Sequence, residues 1–397
     1  MAFDKAVDSA VLDANLKTVA DAIREKAGTS DSLVFPTGFA EAIAGIQAGG
    51  GSDEEWFNDG DTHIWITLPE GRTSPMLGVG VNGTVTVDWG DGSTPDVLTG
   101  TSEGTTKKTP VHNYARPGNY VITLTADGAI GLSGGSGGSR LLQISGVTGD
   151  PAQVYRNAVR RIECGSAVTR VSDYAFHRLQ ALSSIVIPES ITSIGSNAFN
   201  GCYLLSSIDI PDGVTSIGES TFSGCRALSS IVIPNGVTSI GNSAFAYCES
   251  LASMIIPKGV VSIGSYAFDS CYSLLSIDIP DSVTSIGDSA FAYCESLASV
   301  VIPDGVTSIS GVFENCKAIA SVIIPKSVTS IGAYTFYSGC GAAYYDFSNH
   351  TAVPSLANAN AFSSIRPDCE IRVPADLYDE WIAATNWSTL ASNIVAV

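Results

Sequence analysis

Few residues in this 397-residue chain have types and spacings that could do chemistry. There are four histidines, His63, His112, His177 and His350, and none has a Cys or His neighbour at metal-ligand spacing. Ser133 in GLSGG (131–135) and Ser136 in GGSGG (134–138) formally match a nucleophile elbow. That elbow needs a strand before it and a helix after it, whereas here it lies in a Gly/Ser-rich run. Paired carboxylates at Glu54-Glu55 and Asp59-Asp61 lie in a polar lead-in without an acid/base signature. Asp88, Asp91 and Asp96 gather around one turn. They could offer oxygens to calcium, or accept hydrogen bonds from the turn's own backbone; the second reading is the simpler. The residues predict a non-enzyme without cofactor or metal.

Nine cysteines are the remaining reactive groups. Cys202, Cys225, Cys248, Cys271, Cys294 and Cys316 recur at intervals of 23, with one of 22, each three residues after a phenylalanine. Phe176, Phe199, Phe222, Phe245, Phe268, Phe291, Phe313 and Phe336 keep the same interval, as do the prolines from Pro188 to Pro325. A fixed period in the twenties marks a leucine-rich-type solenoid. One unit reads LSSIVIPNGVTSIGNSAFAYCES. Ser-Ile-x-Ile makes a short strand, and proline ends it because it has no N–H for the ladder. A second extended piece, Val-Thr-Ser-Ile, is followed by glycine, read as the residue that permits the turn. Phe and Cys then point inward, each over its equivalent one coil away. Leu179 takes the Cys slot in the first coil, so the slot is apolar and the thiols are expected to be buried and reduced. About eight coils at roughly 4.8 Å give a rod near 40 Å.

The unit resembles the leucine-rich repeat of bacterial surface proteins of the BspA-like type, I-x-I-P-x-x-V-x-x-I-G-x-x-A-F-x-x-C-x-x-L, over residues 167–340. Residues 341–397 look like a cap: a degenerate coil, a strand at CEIRVP (369–374), and an amphipathic helix in DLYDEWIAATNWSTLASNI.

Upstream, residues 55–130 alternate as β-strands between Gly/Pro/Asp/Asn turns. VDWGDGS (87–93) and HNYARPGNYVITL (112–124) resemble the polycystic-kidney-disease-type (PKD) immunoglobulin-like sandwich. That resemblance implies a buried Trp89, a Gly-Asp-Gly turn, and Tyr114 and Tyr120 anchoring later strands. Residues 1–48 read as two short helices, followed by a linker at 49–54. NLKTVADAIREKAGTSDSLVFPTGFAEAIAGI resembles the N-terminal region of phage and prophage structural proteins of Gram-positive hosts, which implies attachment to a particle. Residues 131–159 read as a Gly/Ser-rich linker and lead-in to a solenoid over 160–340.

A net charge of −19 without any Lys/Arg run excludes nucleic acid and anionic membranes as partners. No run approaches the roughly 18–20 apolar residues of a membrane span, and the first residues lack the apolar core of a signal peptide. Serines 184, 207, 230, 253, 276, 299 and 321 precede the strands, and serines 193, 216, 239, 262, 285, 308 and 330 form a second file. Their invariance suggests structure. The variable outward positions are better candidates for recognition: Asp209, Asp278, Val186, Val232 and Ile255 in the strand, and Tyr203, Tyr247, Tyr272 and Tyr293 around the Cys slot.

The layout predicts a mainly β protein: a short helical anchor, a sandwich and a repeat array. The function expected is a phage or prophage receptor-binding protein on the virion. Its array would recognise a bacterial surface glycan or protein, and its N-terminal segment would meet other tail proteins, as a monomer or homo-oligomer. The alternatives are an adhesin on the bacterial surface, or a virion component whose repeats contact other virion proteins.

Overall fold

The computed structural model describes residues 57, 59–68, 74–132, 142–144, 157–337 and 341–397. The chain divides into two units, Met1–Phe57 and Asn58–Val397. The two helices expected in 1–48, and the serines of the elbow-like run, lie outside the described residues. Among the described residues no helix is long and apolar enough to cross a membrane.

The second unit begins with ten strands. They are β1 (Thr62–Leu68), β2 (Pro75–Leu77), β3 (Val79–Asp88), β4 (Asp96–Lys108) and β5 (Gly118–Ala126). Then follow β6 (Ala129–Leu132), β7 (Leu142–Ile144), β8 (Val159–Glu163), β9 (Val168–Val171) and β10 (Ser184–Val186). Eight of them form one sheet in the order β10-β8-β1-β5-β3-β6-β9, with β4 on the other edge of β3, while β2 pairs with β7.

Instead of a free-standing sandwich followed by a linker, this sheet forks and runs into the repeats. The fork lies at Asp127-Gly128. One edge of β3 pairs with β5 through Val85–Asp88 and with β6 through Val79–Asn82. Between them Gly83 takes φ +99°, the Asp127 carboxylate accepts from the Thr84 amide (2.6 Å), and a Cβ on Gly128 would lie 2.0 Å from the Asn82 carbonyl oxygen. Past the bend β5 pairs with β1, which leads through β8 to the parallel β10, whereas β6 leads to the parallel β9. The stretch expected to be linker and lead-in (131–159) thus contributes the end of β6, all of β7 and the start of β8.

The two arms of the fork start the two ladders of the solenoid. The first continues in parallel register through Ser253–Ile255, Ser276–Asp278, Ser321–Ile323, Tyr344–Asp346 and Glu370–Val373, bridged at Asp209/Val232 and Ser276/Ser299. The second runs through Ser239–Ile240, Ser262–Ile263, Ser285–Ile286, Ser308–Ile309, Ser330–Ile331 and Ser355–Leu356. After each strand the proline carbonyl accepts from the amide three residues on, as in Val260 N–H to Pro257 O at 3.0 Å.

The core is a pair of ladders. The eight phenylalanines are fully buried, and successive rings in mid-array stack at 5.2–5.4 Å with 3–11° between planes. The six thiols of the repeat slot each donate to the carbonyl of the phenylalanine one coil earlier, from Cys202 Sγ to Phe176 O (3.1 Å) through Cys316 Sγ to Phe291 O (3.1 Å). Desolvation in this slot pushes the thiols up, far beyond the usual range for Cys202, Cys248 and Cys294. The slot accepts Leu or Cys because it is apolar, and Cys adds a weak bond to an otherwise under-used carbonyl lone pair.

The glycines after Val-Thr-Ser-Ile have a different role from the one expected. The repeat's left-handed residues sit elsewhere, two before and two after each Phe, as at Ser243 (φ 51°) and Tyr247 (φ 60°) around Phe245. The glycines are instead places of close approach: a Cβ on Gly264 would lie 2.5 Å from the Asn242 amide nitrogen, and one on Gly287 would lie 2.3 Å from that of Ser265.

The C-terminal cap departs from the expected single helix. A 3-10 turn (Ala375–Leu377), a six-residue helix α1 (Tyr378–Ala383) and a 3-10 helix (Trp387–Asn393) replace it, and a last strand, Ile394–Ala396, pairs with Glu370–Val373. The helix stops because Ala384 is extended and Asn386 takes φ 67°, its side chain donating to the Leu356 and Ala357 carbonyls. That break seats Trp387, whose indole N–H donates to Pro354 O (2.8 Å), beside the buried Trp381.

Candidate binding surface of the repeat array

The expected chemistry of the β region resolves into structure. Trp89 is fully buried and its indole N–H donates to Asp96 Oδ2 at 2.9 Å. It stacks on His112, and its carbonyl accepts from the Tyr114 hydroxyl at 2.8 Å. Gly90 and Gly92 take φ +74° and +79°, so the Gly-Asp-Gly turn forms as expected. Asp88 accepts from the Gly90 amide, while Asp91 accepts from the Ser93 amide and meets His112 Nε2 at 2.8 Å. The bonds from Ser93 and His112 draw the Asp91 carboxyl down to about 2. Asp88 and Asp91 thus accept from the turn's own backbone, whereas Asp96 accepts from the tryptophan side chain.

The repeat array presents two exposed faces whose side chains vary from coil to coil. On the first ladder, the outward residue of Ile-x-Ile-Pro runs Val186, Asp209, Val232, Ile255, Asp278, Val301, Ile323 and Asp346. Val232, Ile255 and Val301 are 71%, 76% and 73% exposed, an apolar stripe cut by Asp at every third coil. Beside it, the residue after each proline runs Glu189, Asp212, Asn235, Lys258, Asp281, Asp304 and Lys326.

The second face lies at the turns around the Cys slot and carries all four tyrosines singled out from the sequence. Tyr203 and Tyr272 directly follow a cysteine, whereas Tyr247 and Tyr293 directly precede one and take the left-handed backbone (φ 60° and 57°). All four are exposed. The structure separates them. Tyr203 stands under Arg226, whose guanidinium carbon is 5.0 Å from the ring. Arg226 in turn pairs with Glu249. Tyr272 and Tyr293 instead share a neighbourhood with Asp269 and Glu314. The negative charge of Glu314 raises the Tyr293 phenol, with which it is hydrogen-bonded. Desolvation raises both Glu314 and Asp269, and Asp269 is buried with a hydrogen bond from the Ser270 hydroxyl at 3.2 Å. Tyr247 occupies the equivalent of Tyr293 two coils earlier, and its amide donates to Asp269 O at 2.7 Å.

The two carboxylates were missed in the sequence. Their signal was available in the column after each Phe, where His177, Asn200, Ser223 and Ala246 give way to Asp269, Ala292 and Glu314. Among the described residues no group of three or more His, Cys, Asp or Glu is placed to hold a metal.

These features define the class: a β-solenoid of the leucine-rich-repeat kind, sealed at one end by a forked sheet and at the other by a tryptophan-bearing cap. The comparisons agree for the array. Residues 154–274 and 215–342 match the family model of the BspA type leucine rich repeat region, in six copies. The match does not include the β region at 55–130, so the PKD resemblance rests on its motifs alone. No curated protein matches the sequence.

Among solved structures, the chain is similar to a leucine rich repeat protein from T. pallidum (29% identity, 49% of this chain and 85% of that one, TM-score 0.38). It is also similar to a leucine rich cell surface protein from Faecalibacterium prausnitzii (24% identity, 51% and 75%, TM-score 0.27). A third is a leucine-rich repeat protein from Eubacterium ventriosum (22% identity, 64% and 75%, TM-score 0.39).

Proposed function

We propose that this chain is a non-enzymatic adhesion or receptor-binding protein whose repeat surface recognises a bacterial cell-surface glycan or protein. The observation that carries it is the contrast within each coil. The inward columns repeat Phe, Cys and Ile almost unchanged, while the turn face places Tyr272 and Tyr293 beside Asp269 and Glu314. Exposed phenols beside carboxylates offer stacking surface together with hydrogen-bond acceptors, which suits a hydroxyl-rich or amine-bearing ligand.

The carrier is a phage or prophage particle, held through the N-terminal segment. The motif in residues 12–46 and the order of anchor, β region and repeat array support this reading. The test uses the labelled full chain on a panel of Gram-positive gut bacteria, beside a Tyr272→Ser/Tyr293→Asn variant. Asparagine keeps the left-handed backbone at 293, as Asn315 does one coil on. Strain-selective binding that drops roughly tenfold in the variant supports the reading. Absence of binding to every strain by a folded chain removes it. For the carrier, loss of incorporation into particles on deleting residues 1–48 is expected, and unchanged incorporation would refute the anchor.

A further inference from the structure

The strand face carries an order beyond the 23-residue period. From Asp209 onward its outward residues follow a three-coil rule of Asp, Val, Ile, ending on Asp346. The neighbouring row also has this longer spacing, with Lys258 and Lys326 three coils apart. Lys258, Lys326, Asp212 and Asp281 are all exposed, and among the described residues none has an ion-pair partner within 4.0 Å.

We propose that this face binds a second copy of the chain, antiparallel, about a twofold axis between the coils of Lys258 and Asp281. Two such faces laid together on a twofold axis along the strands bring each row opposite the same row in reversed coil order. With the axis placed there, Lys258 meets Asp281 of the second copy and Lys326 meets its Asp212, and symmetry repeats both pairs. Asn235 falls opposite Asp304, a neutral match. In the strand row Val232 meets Val301 of the second copy, while Ile255 falls opposite its Asp278 and Ile323 opposite its Asp209. Asp278 and Asp209 stand three residues before Asp281 and Asp212, so each lysine approaches a pair of carboxylates.

The register is selective. One coil earlier sets Lys258 against its own symmetry mate and Asp212 against Asp304. One coil later sets Asp281 against its own mate. Among overlaps of more than four coils, the proposed one alone leaves no like-charge pair in the row that follows the prolines. Charge complementarity of this kind specifies register more than it supplies affinity, and the mutual pairing of the exposed Val232 and Val301 supplies apolar area to bury. The strand face is thereby assigned to self-association, and the tyrosine-bearing turns stay available to the ligand discussed above.

The experiment is sedimentation equilibrium of the full chain at low and high salt, with two charge-swapped variants, Lys258→Glu/Lys326→Glu and Asp212→Lys/Asp281→Lys. Circular dichroism confirms folding. The expected result is a dimer that weakens with salt and weakens by roughly tenfold or more in either variant alone. Mixing the two variants should restore dimerisation, because every swapped pair is again of opposite sign. A monomer at all concentrations at low salt, a dimer indifferent to the swaps, or a mixture that stays monomeric would each overturn the proposal.

Discussion

Truncating one ring in the middle of the phenylalanine ladder, Phe245→Ala, should cut the array in two. Phe245 is fully buried and stacks on Phe222 and Phe268 at 5.4 Å each. Phe→Ala in a closed core costs about 3–5 kcal/mol in transfer and cavity. Each lost ring pair adds about 0.5–1.5 kcal/mol, partly included in that figure, so about 5 kcal/mol is expected. That is comparable to the whole stability of many domains. In a solenoid each coil contacts only its neighbours, so the loss falls on two interfaces and leaves the rest intact. Guanidinium unfolding followed by far-UV circular dichroism should then change from one transition to two. Phe313→Ala is the internal comparison, because its neighbours stand farther off, at 6.1 and 5.9 Å. It should lose less. A loss under about 2 kcal/mol for Phe245→Ala, or a larger loss at Phe313, would refute the account of the ladder.

Four further outcomes follow from the same geometry. The buried thiols of Cys202, Cys225, Cys248, Cys271 and Cys294 should resist an alkylating reagent at pH 8 and react once denaturant is added, since burial holds them protonated; labelling of Cys248 in the native protein would contradict this. Gly264→Ala should destabilise the array markedly, because the added methyl would lie 2.5 Å from the Asn242 amide nitrogen, and thermal melting measures it. Asp269→Asn should raise the melting temperature at pH 7. Burial raises the folded carboxyl, so its ionisation costs stability as pH rises from the unfolded value near 3.8 through the folded one, and amide replacement removes that cost. His350 has the opposite slope: burial lowers its folded value, so its contribution is complete above about 6.5 and is lost as pH falls below that. A His350→Gln variant should melt with less dependence on pH between 7 and 5.

The solenoid was legible because its signal is one-dimensional. A residue that must stack on its own copy repeats, so Phe, Cys, Pro and the core Ile announced themselves by period. Trp89 and its turn were legible from a local motif. The glycines were assigned the wrong cause because sequence distinguishes neither a left-handed backbone from a close approach nor the coil that approaches. The fork at Asp127-Gly128 was hidden for a related reason: pairing of β1 with β8 and of β6 with β9 joins segments some forty to a hundred residues apart, and no period records it. At the surface, the tyrosines stood out as aromatic exceptions. Asp269 and Glu314 did not, since an acidic residue in a polar turn column looks like ordinary solvated surface until its burial is seen.

The fork also answers a problem that every parallel ladder poses. An array of short parallel strands ends in rows of unpaired N–H and C=O groups that could template another chain. At the start of this array both ladders are taken up by a single sheet. β8 is antiparallel to β1 yet parallel to β10, and β6 does the same between β3 and β9. At the far end Ile394–Ala396 adds one more strand beyond Glu370–Val373, and Val397 donates its amide to the Val373 carbonyl while Trp381 and Trp387 cover the last ring layer. Along the array, the strand face with its Asp, Val, Ile order is the surface proposed above for a second copy, and the variable turns are the surface proposed for a ligand.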